Sequence, residues 1–336
     1  MSLRHYLLSA MLVTLLPVAS HAEQFALPPD GNDVIGAVGV IAAREDDTLL
    51  DIARRHGLGY EDIVRANPDV DTWLPGEGTE VVLPTRYVLP AVARKGVVLN
   101  LAEYRMYYFP EPMDGESAVV MTYPMSIGRM DWETPLGLTR VVAKAENPTW
   151  YPPESVRAEH AADGDPLPRI VPPGPKNPLG AYAMRLGLPG YLIHSTNRPA
   201  GVGMRVTHGC IRMFPEDIRF LFGLVGVNTP VRIINEPVKV GWDGDELVME
   251  VHRPLDIAPF ETESGEITTE VLSEDAKLSP ERNMLTVLTE QFVAATNTRA
   301  GELDWQRAEM LLDRADGIPV LVGKTIKNAA TSAAFE

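Results

Sequence analysis

The sequence predicts an α+β protein that is mainly β, and three observations predict it. Between residues 95 and 236, seven runs rich in β-branched and aromatic residues are separated by Pro, Gly and Asn. Ahead of them, residues 38–85 give strand, helix, helix and strand signals in that order. Behind them, at 237–336, two alternating runs around a glycine turn precede two amphipathic helical segments.

The chain opens MSLRHYLLSAMLVTLLPVASHAEQ. Arg4 and His5 make a basic start, and Tyr6–Val18 is apolar but short for a bilayer span. Ser20 and Ala22 supply small residues for cleavage after Ala22, so residues 1–22 read as a signal peptide. An uncleaved anchor is the alternative. No later apolar run is long enough to cross a membrane, so no transmembrane segment is expected after cleavage.

Net charge is −16, and loss of Arg4 with the leader makes it −17. Such a chain repels nucleic acid and anionic lipid at long range, so no nucleic-acid partner is expected. A single cysteine, Cys210, excludes an internal disulfide.

In residues 38–85, Val38–Ala42 reads as an opening strand and Val81–Leu83 as a closing one. Asp47 or Thr48 caps a first helix whose Leu49, Leu50, Ile52 and Ala53 share a face, and Gly57 ends it. A second helix covers Tyr60–Ala66. In residues 95–236 the expected strands are Val97–Leu101, Tyr104–Phe109, Ala118–Ile127, Thr139–Ala145, Tyr182–Leu186, Tyr191–Ser195 and Val231–Ile234. So many short strands argue for a β-sandwich-like domain. The proline-dense stretch Asn147–Pro178 reads as a long ordered loop and a candidate lid. Pro215–Val225 reads as a helix opened by its proline. In the tail, PVKVGWDGDELVMEVH is a hairpin turning at Asp243-Gly244-Asp245. Acidic Glu261–Asp275 is a linker; Ser279–Pro280 and Asp304 start two helices, the second ended by Gly317 and Pro319. No chemistry is evident there, and an accessory packing role is expected.

The chemistry-bearing stretch is THGCIRM at Thr207–Met213, with His194 fourteen positions before His208. A thiol attacks as thiolate, so a nearby cationic histidine or amide dipoles are expected to lower its pKa. His194 ends a predicted strand, which would present it rigidly. Gly209 leaves its amide, with that of Cys210, open to a developing oxyanion. Arg212 emerges on the same side as Cys210 if the backbone is extended, where it could hold a carboxylate. Three readings remain: a Cys–His acyl-transfer site, a metal site from His194, His208 and Cys210, and a buried inert thiol. No HExxH or CxxC spacing supports the metal, so neither metal nor cofactor is expected.

Residues 38–85 resemble a LysM module through DTLLDIARRHG, Ala66-Asn67-Pro68 and Leu74-Pro75-Gly76 before VVLP; Glu77-Gly78 departs where Gln is common. The resemblance implies binding to N-acetylglucosamine-containing glycan. IHSTNRPAGVGMRVTHGCIRM resembles the signature of L,D-transpeptidases of the YkuD type, with SIGRMDWETPLG and NPLGAYAMRL in agreement. The hairpin tail is similar to that of the periplasmic branch, which implies a periplasmic location. The resemblance implies Cys210 as nucleophile and His194 as general acid/base, its ring oriented by the Ser195 carbonyl. It implies an oxyanion hole from the Gly209 and Cys210 amides, with His208 lining and tuning the site. Arg212, Thr207 and Tyr182 are expected to contact substrate. Ser195 stands where glycine is common, and the His194–Thr207 spacer is short for the family.

The implied substrate is peptidoglycan: a tetrapeptide stem loses D-alanine and becomes a thioester on its third residue. The acceptor would be a stem diamino acid, giving a 3→3 crosslink, or the lysine of an outer-membrane lipoprotein or other anchored protein. The alternatives are a thiol carboxypeptidase and a non-catalytic wall-binding protein.

Overall fold

The computed structural model describes residues 23–29, 31–113, 115–130, 132–255 and 283–326. The leader, the acidic stretch Glu261–Asp275 and the Ser279–Pro280 cap lie outside the described residues. Among the described residues no helix is long and apolar enough to cross a membrane.

A mixed nine-stranded sheet forms the centre. Its order across the sheet is Glu23–Ala26, Val119–Pro124, Arg105–Phe109, Gly96–Asn100, Pro230–Ile234, Gly137–Glu146, Tyr182–Leu186, Leu192–His194 and Ile211–Arg212. Two pairings are parallel, Gly96–Asn100 with Pro230–Ile234 and Leu192–His194 with Ile211–Arg212. Both sheet faces are covered. One core cluster joins Tyr108 and Tyr123 near one end of the order to Ile193 and Ile211 near the other, so the sheet curls around it. The helix Pro215–Leu224 supplies Ile218 and Leu221 to this cluster. The opposite face packs Val98, Tyr107 and Phe109 against Ile35, Tyr87 and Leu89.

Curling brings the two ends together. Ser126 donates its amide to Arg212 O at 2.8 Å and accepts the Arg212 amide at 3.1 Å. The expected strand Ala118–Ile127 is therefore two pieces. It ends at Pro124, and Ile127–Gly128 pairs in parallel with Arg205–Thr207 in a ladder of its own. The break lets one segment serve two partners. The strand Glu23–Ala26, which the sequence pattern did not announce, extends the sheet antiparallel to Val119–Pro124.

The expected strand–helix–helix–strand order is present in the N-terminal segment. Gly39–Ala42 pairs antiparallel with Glu80–Leu83, around the helices Leu49–Arg55 and Tyr60–Ala66. Leu49, Ile52, Leu58, Ile63 and Val81 form its core. Thr48 caps the first helix: its hydroxyl accepts the Asp51 amide, and the Asp51 carboxylate accepts the Thr48 amide.

The tail is more than a hairpin and two helices. Val238–Asp243 and Glu246–Val251 are joined by Val320–Thr325 and Gly301–Leu303 into a four-stranded antiparallel sheet. The helices Met284–Thr296 and Trp305–Arg314 pack on it through Val287, Leu288, Ala308 and Leu311. Asn283 caps the first by accepting from the Leu285 amide, and Asp304 caps the second. A buried charge cluster joins tail and centre. Lys239 Nζ lies 2.8 Å from Glu103 and 2.9 Å from Glu250, which also meets His252 at 2.6 Å.

Candidate active site

Parallel pairing builds the site. Ile193 lies opposite Ile211, and His194 opposite Arg212. Cys210 immediately precedes that strand and so falls level with Leu192. Side chains alternate along extended chain, so Cys210, His194 and Arg212 project from one face. The Met213 amide donates to His194 O at 3.0 Å and pins the register. The sequence thus places base and nucleophile sixteen residues apart, and the fold makes them diagonal neighbours.

A braced turn presents the thiol. Gly209 has φ +90°, a conformation side chains rarely tolerate. The Thr207 hydroxyl donates to Cys210 O at 2.6 Å, and the Thr134 hydroxyl donates to Gly209 O at 2.8 Å. The Gly128 amide in turn donates to Thr134 Oγ1 at 3.2 Å. With both carbonyls held this way, the turn cannot rotate freely. Among the described residues neither the Gly209 nor the Cys210 amide donates to a backbone carbonyl.

The surroundings of the two groups favour their uncharged forms. His194 Nδ1 lies 2.6 Å from Ser195 O. A carbonyl only accepts, so Nδ1 carries the proton and Nε2 is left with a lone pair. Burial, then the Arg212 charge, hold the His194 pKa down at about 3. Burial pushes the Cys210 thiol up, against the opposing pull of the Leu192 amide and Arg212. Both shifts favour a neutral thiol beside a neutral imidazole, where spacing suggested a thiolate held by a cationic histidine. The sulfur is half-buried, within 3.6 Å of Gly190 O.

His208 belongs to a second layer of contacts. Its Nε2 lies 3.1 Å from Glu159, whose other oxygen accepts from Arg129. Trp132 meets the His208 ring edge-on at 5.2 Å, and His160 lies 6.4 Å from it. Glu159 and His160 come from a helix, Glu154–Ala162, inside the proline-dense stretch expected as a loop. Its signal was the run ESVRAEHAA between two proline clusters, which the prolines obscured. The Arg129 contact, then His208, hold the Glu159 carboxyl below the usual range.

The other expected residues separate. Arg212 is half-buried, its Nε buried without a partner among the described residues. Burial, then Arg198, lower its pKa. Thr207 is 2% exposed and its hydroxyl is engaged within the turn. The Tyr182 ring packs on Phe222 at 5.0 Å, and its carbonyl accepts the Ser195 amide at 2.9 Å. Sequence reasoning missed Thr134, Glu159, Arg129 and Tyr191. The Tyr191 hydroxyl donates to Glu133 O at 3.1 Å beside the turn. Among the described residues Glu103, Glu250 and His252 are spaced as metal ligands could be. A lysine ammonium already sits between the two carboxylates, and none of the three belongs to the thiol site.

A lone thiol just ahead of the strand Ile211–Arg212, with a buried imidazole on the neighbouring strand of a mainly β domain, is an arrangement suited to a cysteine acyltransferase. The model of the L,D-transpeptidase (YkuD) catalytic domain matches residues 94–233. The chain is 38% identical over 281 residues to the probable L,D-transpeptidase YbiS of Escherichia coli K12, covering 82% of this chain and 90% of that one. It is 37% identical over 311 residues to the probable L,D-transpeptidase ErfK/SrfK of the same organism, covering 90% and 93%. A third relative from that organism, the probable L,D-transpeptidase YcfS, is 36% identical over 312 residues, covering 91% and 90%. The chain belongs to the L,D-transpeptidase family, and its activity is peptidoglycan L,D-transpeptidation by a cysteine acyltransferase.

Proposed function

We propose that Cys210 is the nucleophile and His194 the general acid/base of this transpeptidase. The observation that carries the reading is the His194 ring, fixed by Ser195 O on the face that bears Cys210. As the sulfur attacks the carbonyl of the third stem residue, its proton passes to His194 Nε2. The oxygen gains charge and is met by the Gly209 and Cys210 amides, a contribution of about 10²–10³ in rate per donor. The imidazolium then protonates the nitrogen of departing D-alanine as the C–N bond breaks, leaving a thioester. An acceptor amine attacks the thioester and gives its proton to His194, and the sulfur leaves as thiol. Because the buried imidazole resists protonation, its charge exists only beside the developing oxyanion.

Arg212 is the residue for a stem carboxylate: its guanidinium faces the nucleophile's side and has no carboxylate partner among the described residues. His208 lines the opening and is held by Glu159 on the helix Glu154–Ala162, which acts as the lid. Thr207 shapes the turn that presents the thiol, and Tyr182 positions Ser195.

The finer assignments belong to the same proposal. Residues 1–22 are a signal peptide, and the enzyme works in the periplasm. Residues 38–85 are a LysM module that binds wall glycan, residues 95–236 the catalytic domain and 237–336 an accessory region. The acceptor is the lysine of an outer-membrane lipoprotein or the side-chain amine of another stem. Support for the module comes from its strand–helix–helix–strand order and the motifs quoted above. The test is intact-protein mass spectrometry with a tetrapeptide donor and each acceptor amine. An acyl-enzyme that forms on wild type and not on Cys210→Ala, then transfers to amine, is expected. Release of tripeptide acid alone would favour a carboxypeptidase.

A further inference from the structure

We infer that the segment Gly39–Leu83 is a positioning element of the active site and not only a tether. It does so by holding the loop that carries the chain from His194 to Cys210; the inference rests on Cys210 being the nucleophile. The first amides of any helix lack intrahelical partners. In the helix Tyr60–Ala66 they find them in that loop: the Tyr60 amide donates to Val202 O at 3.0 Å and the Glu61 amide to Gly203 O at 3.3 Å. Gly59 and Gly203 meet back to back. A Cβ on Gly203 would lie 2.3 Å from Tyr60 N and 2.5 Å from Gly59 Cα. One on Gly59 would lie 2.7 Å from Gly203 Cα. These neighbours are backbone and cannot rotate aside.

From the clamped loop the contacts run on to the site. Gly201 O accepts the Ser126 hydroxyl at 2.7 Å. Ser126 exchanges both of its backbone hydrogen bonds with Arg212, at 2.8 and 3.1 Å. Arg212 lies opposite His194 and two residues beyond Cys210. The clamp is fixed in angle by two charge pairs. Arg54 takes Glu216 with two bonds, 2.6 and 2.8 Å, on the helix that follows the nucleophile strand. Arg105, wholly buried in the central sheet, reaches Asp62 at 2.7 Å. Asp62 in turn accepts the Gly59 amide at 2.8 Å. A tether that raises local substrate concentration needs only a linker. A buried guanidinium pair and a glycine–glycine backbone contact are the marks of a fixed orientation.

The two roles separate on a donor without sugar, because glycan binding has nothing to hold in a soluble tetrapeptide stem. Full-length wild type, Gly203→Ala, Gly59→Ala and Arg54→Gln are compared for kcat and KM on that donor, with thermal melting as the measure of folding. The alanine variants force the loop and helix apart, and a displacement of about 1 Å costs up to roughly 10²-fold in rate. A loss of about tenfold or more in kcat/KM is expected for the alanine variants, and a smaller loss for Arg54→Gln, which removes one surface pair. Variants that melt cooperatively and process the sugar-free donor at the wild-type rate overturn the inference, including when they are slow on whole sacculi. Should Gly203→Ala fail to fold, Arg54→Gln decides by the same criterion. Wild type that forms no acyl-enzyme with this donor would instead overturn the catalytic assignment itself.

Discussion

Replacing Gly209 by alanine tests how the site is built. The residue sits at φ +90°, where an L side chain costs about 1–2 kcal/mol. The new Cβ would stand 2.8 Å from Tyr191 Cε1 and 3.4 Å from Glu133 O. The Tyr191 ring cannot swing away freely, because its hydroxyl is bonded to Glu133 O at 3.1 Å. The turn must therefore move, while Thr134 and Thr207 hold its carbonyls at 2.8 and 2.6 Å. Movement takes the Gly209 and Cys210 amides off the position proposed for the oxyanion, and loss of one such donor costs about 10²–10³ in kcat. The stability cost of 1–2 kcal/mol corresponds to a melting point lower by roughly 2–8 °C. Single-turnover acylation by a tetrapeptide donor, followed by intact mass, reads the first effect, and scanning fluorimetry reads the second. A variant that melts with wild type and acylates at the wild-type rate would refute both the strain argument and the oxyanion role.

Three further outcomes are expected. Because Cys210 is pushed up and His194 is held down near 3, alkylation by iodoacetamide should accelerate steadily into the alkaline range; a fast plateau already present at pH 5 would mean a resting thiolate. Arg212→Gln should raise KM for the donor and lower kcat/KM by roughly 10–100-fold, the worth of one charged hydrogen bond of about 1.5–3 kcal/mol, whereas an unchanged KM would remove Arg212 from substrate binding. Buried Asp217 has its pKa raised from 3.8 to about 8 by burial, with Glu216 adding to the shift. Between those values the unfolded chain is ionised and the native carboxyl is not, so this group withdraws stability as pH climbs from about 4 to about 8, by at most about 1.4 kcal/mol per unit. Asp217→Asn should therefore gain on wild type in melting experiments as pH rises from 5 to 8, and an advantage that shrinks over that range would reverse the assignment.

Local chemistry made much of the molecule legible in the sequence. Tyr182–Leu186 is a short, mostly apolar run between glycine-containing turns, and it is a strand with those limits. Pro215 opens the helix it was expected to open, because a first-turn proline forfeits no hydrogen bond. The lone Cys210 beside His208 and Gly209 singled out this turn for its chemistry, while spacing alone left a metal site and an inert thiol open. Other features depend on partners far away in the chain. Glu23–Ala26 is a strand because Val119–Pro124 offers it a ladder, not because its four residues favour one. Glu159 reaches His208 across forty-nine positions, and no spacing rule connects them.

Residue types and their order determined which groups are available: one thiol, its histidines, a glycine that can turn tightly and an arginine past the turn. Tertiary structure alone decided their state. Desolvation holds the His194 pKa down and pushes the Cys210 thiol up, and desolvation is a property of the whole surrounding shell. The meeting of the sheet's two ends at Ser126 and Arg212, and the docking of Tyr60 and Glu61 on the Val202–Gly203 carbonyls, were equally invisible in one dimension. Each needs two distant segments to fold before either contact has meaning.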